Sequence, residues 1–192
     1  MFVIALDNVK ETDLKDQSDQ IDRIMAMVVN RAAERGRAWI AADMKKQVNF
    51  PTHYLSKSGR RLTMLGYATP EDPERSIIGR REPTSLARFV TGTVAKGKPV
   101  HVQVKPAQTR TIKNAFVINL RNNNKGLAMR LPNGQRPEAA YRPRRLASGL
   151  WLLYGPSVDQ VFRGILQQED QSYHQTENFL RSEFLRLLEL KK

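Results

Sequence analysis

KNAFVINLRNNNKGLAMRL, Lys113 to Leu131, decides how the middle of the chain folds. Two apolar runs, Ala115 to Leu120 and Leu127 to Leu131, flank the polar segment RNNNKG. Asn and Gly tolerate positive φ, so the runs are expected to pair as an antiparallel hairpin with that segment at its tip. Phe116, Ile118 and Leu120 alternate onto one face, and Met129 and Leu131 are expected to meet some of them across the hairpin. On this reading the three residues belong to the core, and Phe116→Ala costs about 3–5 kcal/mol by leaving a cavity. Arg121, Asn122, Asn123, Asn124 and Lys125 are left exposed at the tip as a docking point.

Further strands flank this hairpin. PVHVQVK, residues 99–105, alternates Val100, Val102 and Val104 against His101, Gln103 and Lys105, the pattern of a half-buried strand. Shorter strands are expected at Met1–Leu6, Leu62–Ala68 and Ser76–Arg81, and LWLLY, Leu150 to Tyr154, reads as a strand or the approach to a helix. Helices bracket this β-rich middle. The first is expected to begin near Thr12 or Asp13, good N-caps, and to end near Val48. Its stripe runs Ile21, Ile24, Met25, Val28, Ala32, Gly36, Trp39, Ile40, Met44, with Trp39 in the core. Gly36 costs about 1 kcal/mol relative to Ala and marks a bend or a close helix contact. After LWLLY, Gly155 gives a bend. Either Pro156 starts a helix or Ser157 caps it, with Gln160 completing a capping box. Val158, Val161, Phe162, Ile165 and Leu166 form a first apolar face, with Phe162 in the core. Phe179, Leu180, Phe184, Leu187 and Leu188 form a second, and a break is expected between them, around Asp170 to His174. The polar, proline-rich segments 69–83 and 132–148 read as extended loops or arms. The fold class is therefore α+β. A long N-terminal helix and a C-terminal helix pack on a small, mostly antiparallel sheet, in one domain over 1–192.

Net charge is +13, and its distribution is uneven. Residues 1–50 carry 8 basic and 8 acidic side chains, residues 51–150 carry 19 and 5, and residues 151–192 carry 5 and 6. The whole excess lies in the middle, where it attracts polyanions at long range. Arg80, Arg81, Arg142, Arg144 and Arg145 are the densest basic sites, beside Arg60 and Arg61. They suit phosphates or acidic protein faces rather than base edges.

Little in the sequence points to catalysis. There is no Cys, which removes disulfides, thiolate nucleophiles and Cys-ligated metals. His53, His101 and His174 lack metal-ligand spacing, and neither a P-loop, a Rossmann fingerprint nor a Gly-x-Ser-x-Gly elbow is present. Glu71, Asp72 and Glu74 sit in TPEDPER, a proline-bounded turn, not on rigid elements converging on a cation. No cofactor or metal is expected. No run is long enough to cross a bilayer, and the start lacks the pattern of a signal peptide.

The ordered series of pieces resembles the phage minor tail protein Z family, the tail-completion proteins of long-tailed phages. IMAMVVNRAAERGRAWIAADMKKQV is followed by FPTHYLSKSGRRL, then by SLARFV leading into VHVQVK. The hairpin with its AF pair and LYGPSVDQVF complete the series over roughly residues 20–190. The resemblance implies a structural virion protein without catalytic residues, assembled in the host cytoplasm. It implies a homo-oligomeric ring, expected to be a hexamer, at the head-proximal end of the tail. Its neighbours would be connector or portal-side proteins and the tail terminator or tail tube, with DNA passing through the lumen and touched only non-specifically. The alternative from charge alone is a non-specific basic nucleic-acid-binding protein.

Overall fold

The first helix, α1, spans Glu11–Gln47 and carries the expected stripe. Ile24, Val28, Ala32, Gly36, Ile40 and Met44 are buried and Trp39 is half-buried, while Ile21 lies out in solvent. The structure is a computed structural model and describes residues 11–121, 123–132, 135–147, 149–167 and 171–190. The strand expected at Met1–Leu6 and the tip residue Asn122 lie outside the described residues. The remaining elements confirm an α+β fold with antiparallel pairing. One domain was expected over 1–192; the chain divides into two compact units. The first comprises Met1–Trp39, Met64–Ile77 and Gln171–Lys192, the second Ile40–Thr63 and Ile78–Asp170.

Between α1 and the hairpin, β1 (Leu62–Leu65) and β2 (Ser76–Gly79) pair as a two-stranded ribbon. β1 stops short of the expected Ala68: Gly66, the next residue, takes φ 76, outside the extended region, and at Ala68 a side chain takes the place of the ladder. Asn30 donates from Nδ2 to the Ala68 carbonyl (2.9 Å), and the Ala68 N–H donates to Asn30 Oδ1 (3.1 Å). Arg75 adds a bond from Nη1 to Asn30 Oδ1 (3.2 Å). One buried amide thus satisfies a stretch of backbone that has no strand partner.

The first unit also contains the last helix, so part of α1 packs on a helix where a sheet was expected to receive it. Trp39 meets Phe179 edge-on (6.1 Å between centroids), and the Arg35 guanidinium lies 4.5 Å from the same ring. The buried Glu183 accepts hydrogen bonds from Arg31 and from Arg186 (Nε to Oε2, 2.8 Å). These bonds, Arg186 first and Arg31 next, hold its carboxyl at about 2, well below the ordinary carboxylate value. A depressed folded-state pKa contributes stability above the unfolded value, lost as pH falls through the folded one. The helix pair is therefore expected to loosen as pH falls from about 4.5 to about 2. Thermal melts followed by circular dichroism check this: Glu183→Gln should remove part of the wild-type fall in Tm between those limits.

In the second unit, β3 (Pro83–Ser85), a 3₁₀ turn at Leu86–Phe89 and β4 (Val90–Thr91) lead into β5 (Val100–Lys105) and β6 (Gln108–Ile112). β4, β5 and β6 form one three-stranded antiparallel sheet. Val100 and Val102 are buried as their alternation requires, and Val104 is less so where the register shifts. β7 (Ala115–Asn119) and β8 (Lys125–Arg130) form the expected hairpin, with Asn123 at φ 60 in its turn. β9 (Arg144–Ala147) and β10 (Leu150–Ser157) complete a second sheet with β3, so that the expected single sheet is divided. The segments expected as arms each supply a strand: β2 lies within 69–83 and β9 within 132–148.

The hairpin's register corrects one expectation. Phe116 lies opposite Ala128, and Met129 opposite Ala115. Met129 therefore belongs to the other face and does not meet Phe116 or Ile118. Ala115, Leu127 and Leu153 are buried on that face, while Phe116 is 37% exposed and Ile118 and Leu120 are half-buried. Phe116 is thus not a core residue; Leu127, fully buried, takes that place.

β10 continues through Gly155 and Pro156, so Pro156 does not start the helix, and its pairing with β3 shifts register between Tyr154 and Ser157, where the bend was expected. Ser157 caps α2 (Val158–Gln167), and the capping box forms as read. Gln160 N–H donates to Ser157 Oγ (3.0 Å), and Ser157 N–H donates to Gln160 Oε1 (2.9 Å). Phe162 is buried with Val158, Val161 and Ile165. α3 spans Gln171–Glu189, so Gln171 to His174, expected within a break, are helical; residues 168–170 lie outside the described residues.

Candidate functional site

Two arginines from distant parts of the second unit, Arg61 and Arg88, meet over the ring of Tyr54. Its ring stacks on Phe50 (5.4 Å between centroids, 10° between planes), and its hydroxyl bonds Thr84 Oγ1 (3.2 Å). The Arg61 guanidinium lies 4.4 Å from the ring centroid and that of Arg88 5.4 Å away. Arg61 is held from Nη1 by the Gly59 carbonyl (2.6 Å). Arg80 is placed by its backbone, whose N–H bonds the Arg61 carbonyl (2.8 Å) and whose carbonyl accepts from Asp159 N–H (3.1 Å). Lys125 is tied at its carbonyl by Ser85 Oγ (3.0 Å). A ring face attracts a cation, so Tyr54 holds two guanidinium groups close together without neutralising either.

Tyr54, Arg61, Arg80, Arg88 and Lys125 line a cleft of about 1090 Å³. Its lining also takes in Arg121 and Asn124 from the hairpin tip, Arg136 and Arg142 from the segment before β9, and Arg144 and Arg145 on β9. Nine cationic side chains therefore face one carboxylate, Glu82. Glu82 is pinned to Arg80 (Nε to Oε2, 2.9 Å). A hydrogen bond from its own backbone, then the Arg80 side chain, hold its carboxyl below the usual range. Among the described residues, no carboxylate lies in ion-pair range of Arg121, Lys125, Arg142, Arg144 or Arg145. Apolar groups fill the space between the charges: Leu120, Leu146, Trp151 and Leu152.

Of the residues expected to dock a partner, Arg80, Arg121, Asn124, Lys125, Arg142, Arg144 and Arg145 converge on this one cleft. Arg81 and Asn123 are exposed but do not line it, and Asn122 lies outside the described residues. Tyr54, Arg88, Arg136 and Trp151 were not legible as site residues. Arg88 sits inside SLARFV, read only as the lead into a strand, and nothing in its spacing shows that it turns toward Tyr54. Among the described residues no three His, Asp or Glu side chains group as metal ligands, and no helix is long and apolar enough to cross a membrane. In comparison with known proteins, no family model, no curated protein and no solved structure matches this chain.

A cleft of this kind concentrates positive potential between low-dielectric walls and draws in anionic groups. The guanidinium forks favour carboxylate or phosphate oxygens.

Proposed function

We propose that this chain is a structural protein of a tailed-phage virion, a tail-completion or head–tail joining subunit that docks an adjoining ring through the basic cleft. The observation that carries the docking role is the convergence of Arg80, Arg121, Lys125, Arg142, Arg144 and Arg145 on one concave surface. The resemblance to the minor tail protein Z family supports the tail assignment, and the α+β elements follow the order of its pieces. In this role the protein forms a homo-oligomeric ring, a hexamer, between connector and tail, and DNA passes through the lumen. Its work is adhesion between rings and calls on no catalytic group.

The test is complementation of phage from which this chain has been deleted. Wild-type chain should restore joined particles, counted by electron microscopy. Arg142→Glu/Arg144→Glu/Arg145→Glu should leave separate heads and tails, while circular dichroism shows the fold retained. Full joining by that variant would overturn the docking role. Joined particles without any copy of the chain would overturn the tail assignment. The second reading, non-specific nucleic-acid binding, draws on the same excess of charge. It requires an affinity for duplex that falls steeply with salt.

A further inference from the structure

We propose that the basic cleft seats an extended acidic peptide segment of a partner protein, laid along β9 as an added strand. The inference rests on the docking role given to this cleft, though not on the tail assignment. Three features of the cleft select this occupant.

The first is charge. Arg121, Lys125, Arg142, Arg144 and Arg145 lack a carboxylate partner among the described residues, and Glu82 is already engaged by Arg80. The ligand must supply anions at several points. The volume, about 1090 Å³, is at the upper limit of the ~300–1,000 Å³ typical of sites for drug-sized molecules. A length of polymer fits better than a small anion.

The second is the apolar material between the charges. Leu146 is 41% exposed, and Leu120 and Trp151, both half-buried, share the lining with it. A phosphate backbone gains nothing from such groups. A peptide with apolar side chains between its carboxylates buries them at about 25 cal/mol per Å².

The third is the strand edge. Over Leu150–Leu152, β10 is paired with β8 and also with β9, which must lie on its two sides. β9 therefore ends the sheet there, and among the described residues its outer side pairs with no strand. An open edge presents alternating N–H and carbonyl groups that another peptide backbone can match. Phosphodiesters offer acceptors alone. Arg144 and Arg145 project from this same strand, so backbone pairing and charge pairing are available to one extended segment.

The experiment uses the full chain and a fluorescent peptide of alternating Glu and Leu, about eight residues long so as to span the cleft fully extended. Anisotropy should show saturable binding, at least about tenfold tighter than that of all-Glu or Lys-Leu peptides, oligo-dT or a short DNA duplex. Arg142→Ala/Arg144→Ala should weaken binding by about tenfold or more, with the circular dichroism spectrum unchanged. Arg142→Ala alone, outside the strand, should give a smaller loss and guards against misfolding. Amide exchange over Arg144–Ala147 should slow when the peptide is bound. The proposal is overturned if either nucleic acid binds as tightly as the Glu-Leu peptide, or if the all-Glu peptide matches it. Unchanged affinity in both variants, or unchanged exchange in β9, also overturns it. Failure here alongside lost joining in the reversed-charge phage rejects the peptide seat and leaves the tail reading standing. Peptide binding alongside full joining leaves the peptide seat standing and rejects this cleft as the joint between rings.

Discussion

Leu127→Ala should lower the stability of the second unit by about 3 kcal/mol, and Phe116→Ala by less than about 1 kcal/mol. The two residues sit on adjacent strands of one hairpin, and the sequence pattern ranks them the other way round. Leu127 is fully buried, opposite Val117 on β7 and Leu153 on β10. Truncating it removes the transfer free energy of three carbons and leaves a cavity that β-sheet neighbours on both sides cannot close. Phe116 is 37% exposed over the small side chain of Ala128, so its removal mostly returns an accessible ring to water. Urea unfolding followed by circular dichroism gives both values. Equal losses, or a larger loss at Phe116, would mean that the hairpin is turned over relative to the rest of the sheet.

That contrast shows where sequence reasoning about this fold stops. Alternation over Ala115 to Leu120 identifies a strand, and RNNNKG identifies the turn, because both are local. Alternation does not say which face is inward, since Phe116 and Ile118 are as apolar as Val117 and Leu127. The turn decides which residues share a face: Leu120 N–H bonds the Asn124 carbonyl (2.8 Å), and the register that follows sets Ala115 against Met129, while which face is covered depends on packing beyond the hairpin. The helices were more legible. Burial of Ile24, Val28, Ala32, Ile40 and Met44 follows directly from a period of 3.6, and the Ser157–Gln160 capping box from two residue types three apart. The anchoring of Ala68 was not legible, because its partner Asn30 lies far away in the sequence.

The site was legible as a set of charges and not as a place. Arg80, Arg121, Lys125 and the run Arg142 to Arg145 stand out by composition alone. Their convergence depends on long-range pairing, β10 with β9 and the Arg61–Arg80 backbone bond, which no spacing encodes. Tyr54 illustrates the same limit. It looks like an ordinary core aromatic three residues after Pro51, and it is buried. Yet its ring carries two guanidinium groups at the edge of the cleft.

Gly36→Leu should destabilise the first unit by about 2–3 kcal/mol, although glycine inside a helix is itself unfavourable by about 1 kcal/mol relative to alanine. The reason is Thr176 on α3. A Cβ built at Gly36 would lie 2.9 Å from Thr176 Oγ1 and 3.0 Å from its Cγ2. Thr176 is β-branched, and its hydroxyl donates to the Ser172 carbonyl (2.7 Å), so it cannot turn aside without losing that bond. Gly36→Ala sets the helix gain against this clash and should be close to neutral, and adding Thr176→Ala should release the gain. A leucine brings three further carbons into the same contact and has to push α3 away, which also parts Trp39 from Phe179. Amide exchange should therefore quicken along α3 and along α1 up to Trp39, with β7, β8 and β10 unchanged. If Gly36→Leu melts and exchanges like the wild type, α1 and α3 do not meet at Gly36, and the account of the helix pair built on that contact fails.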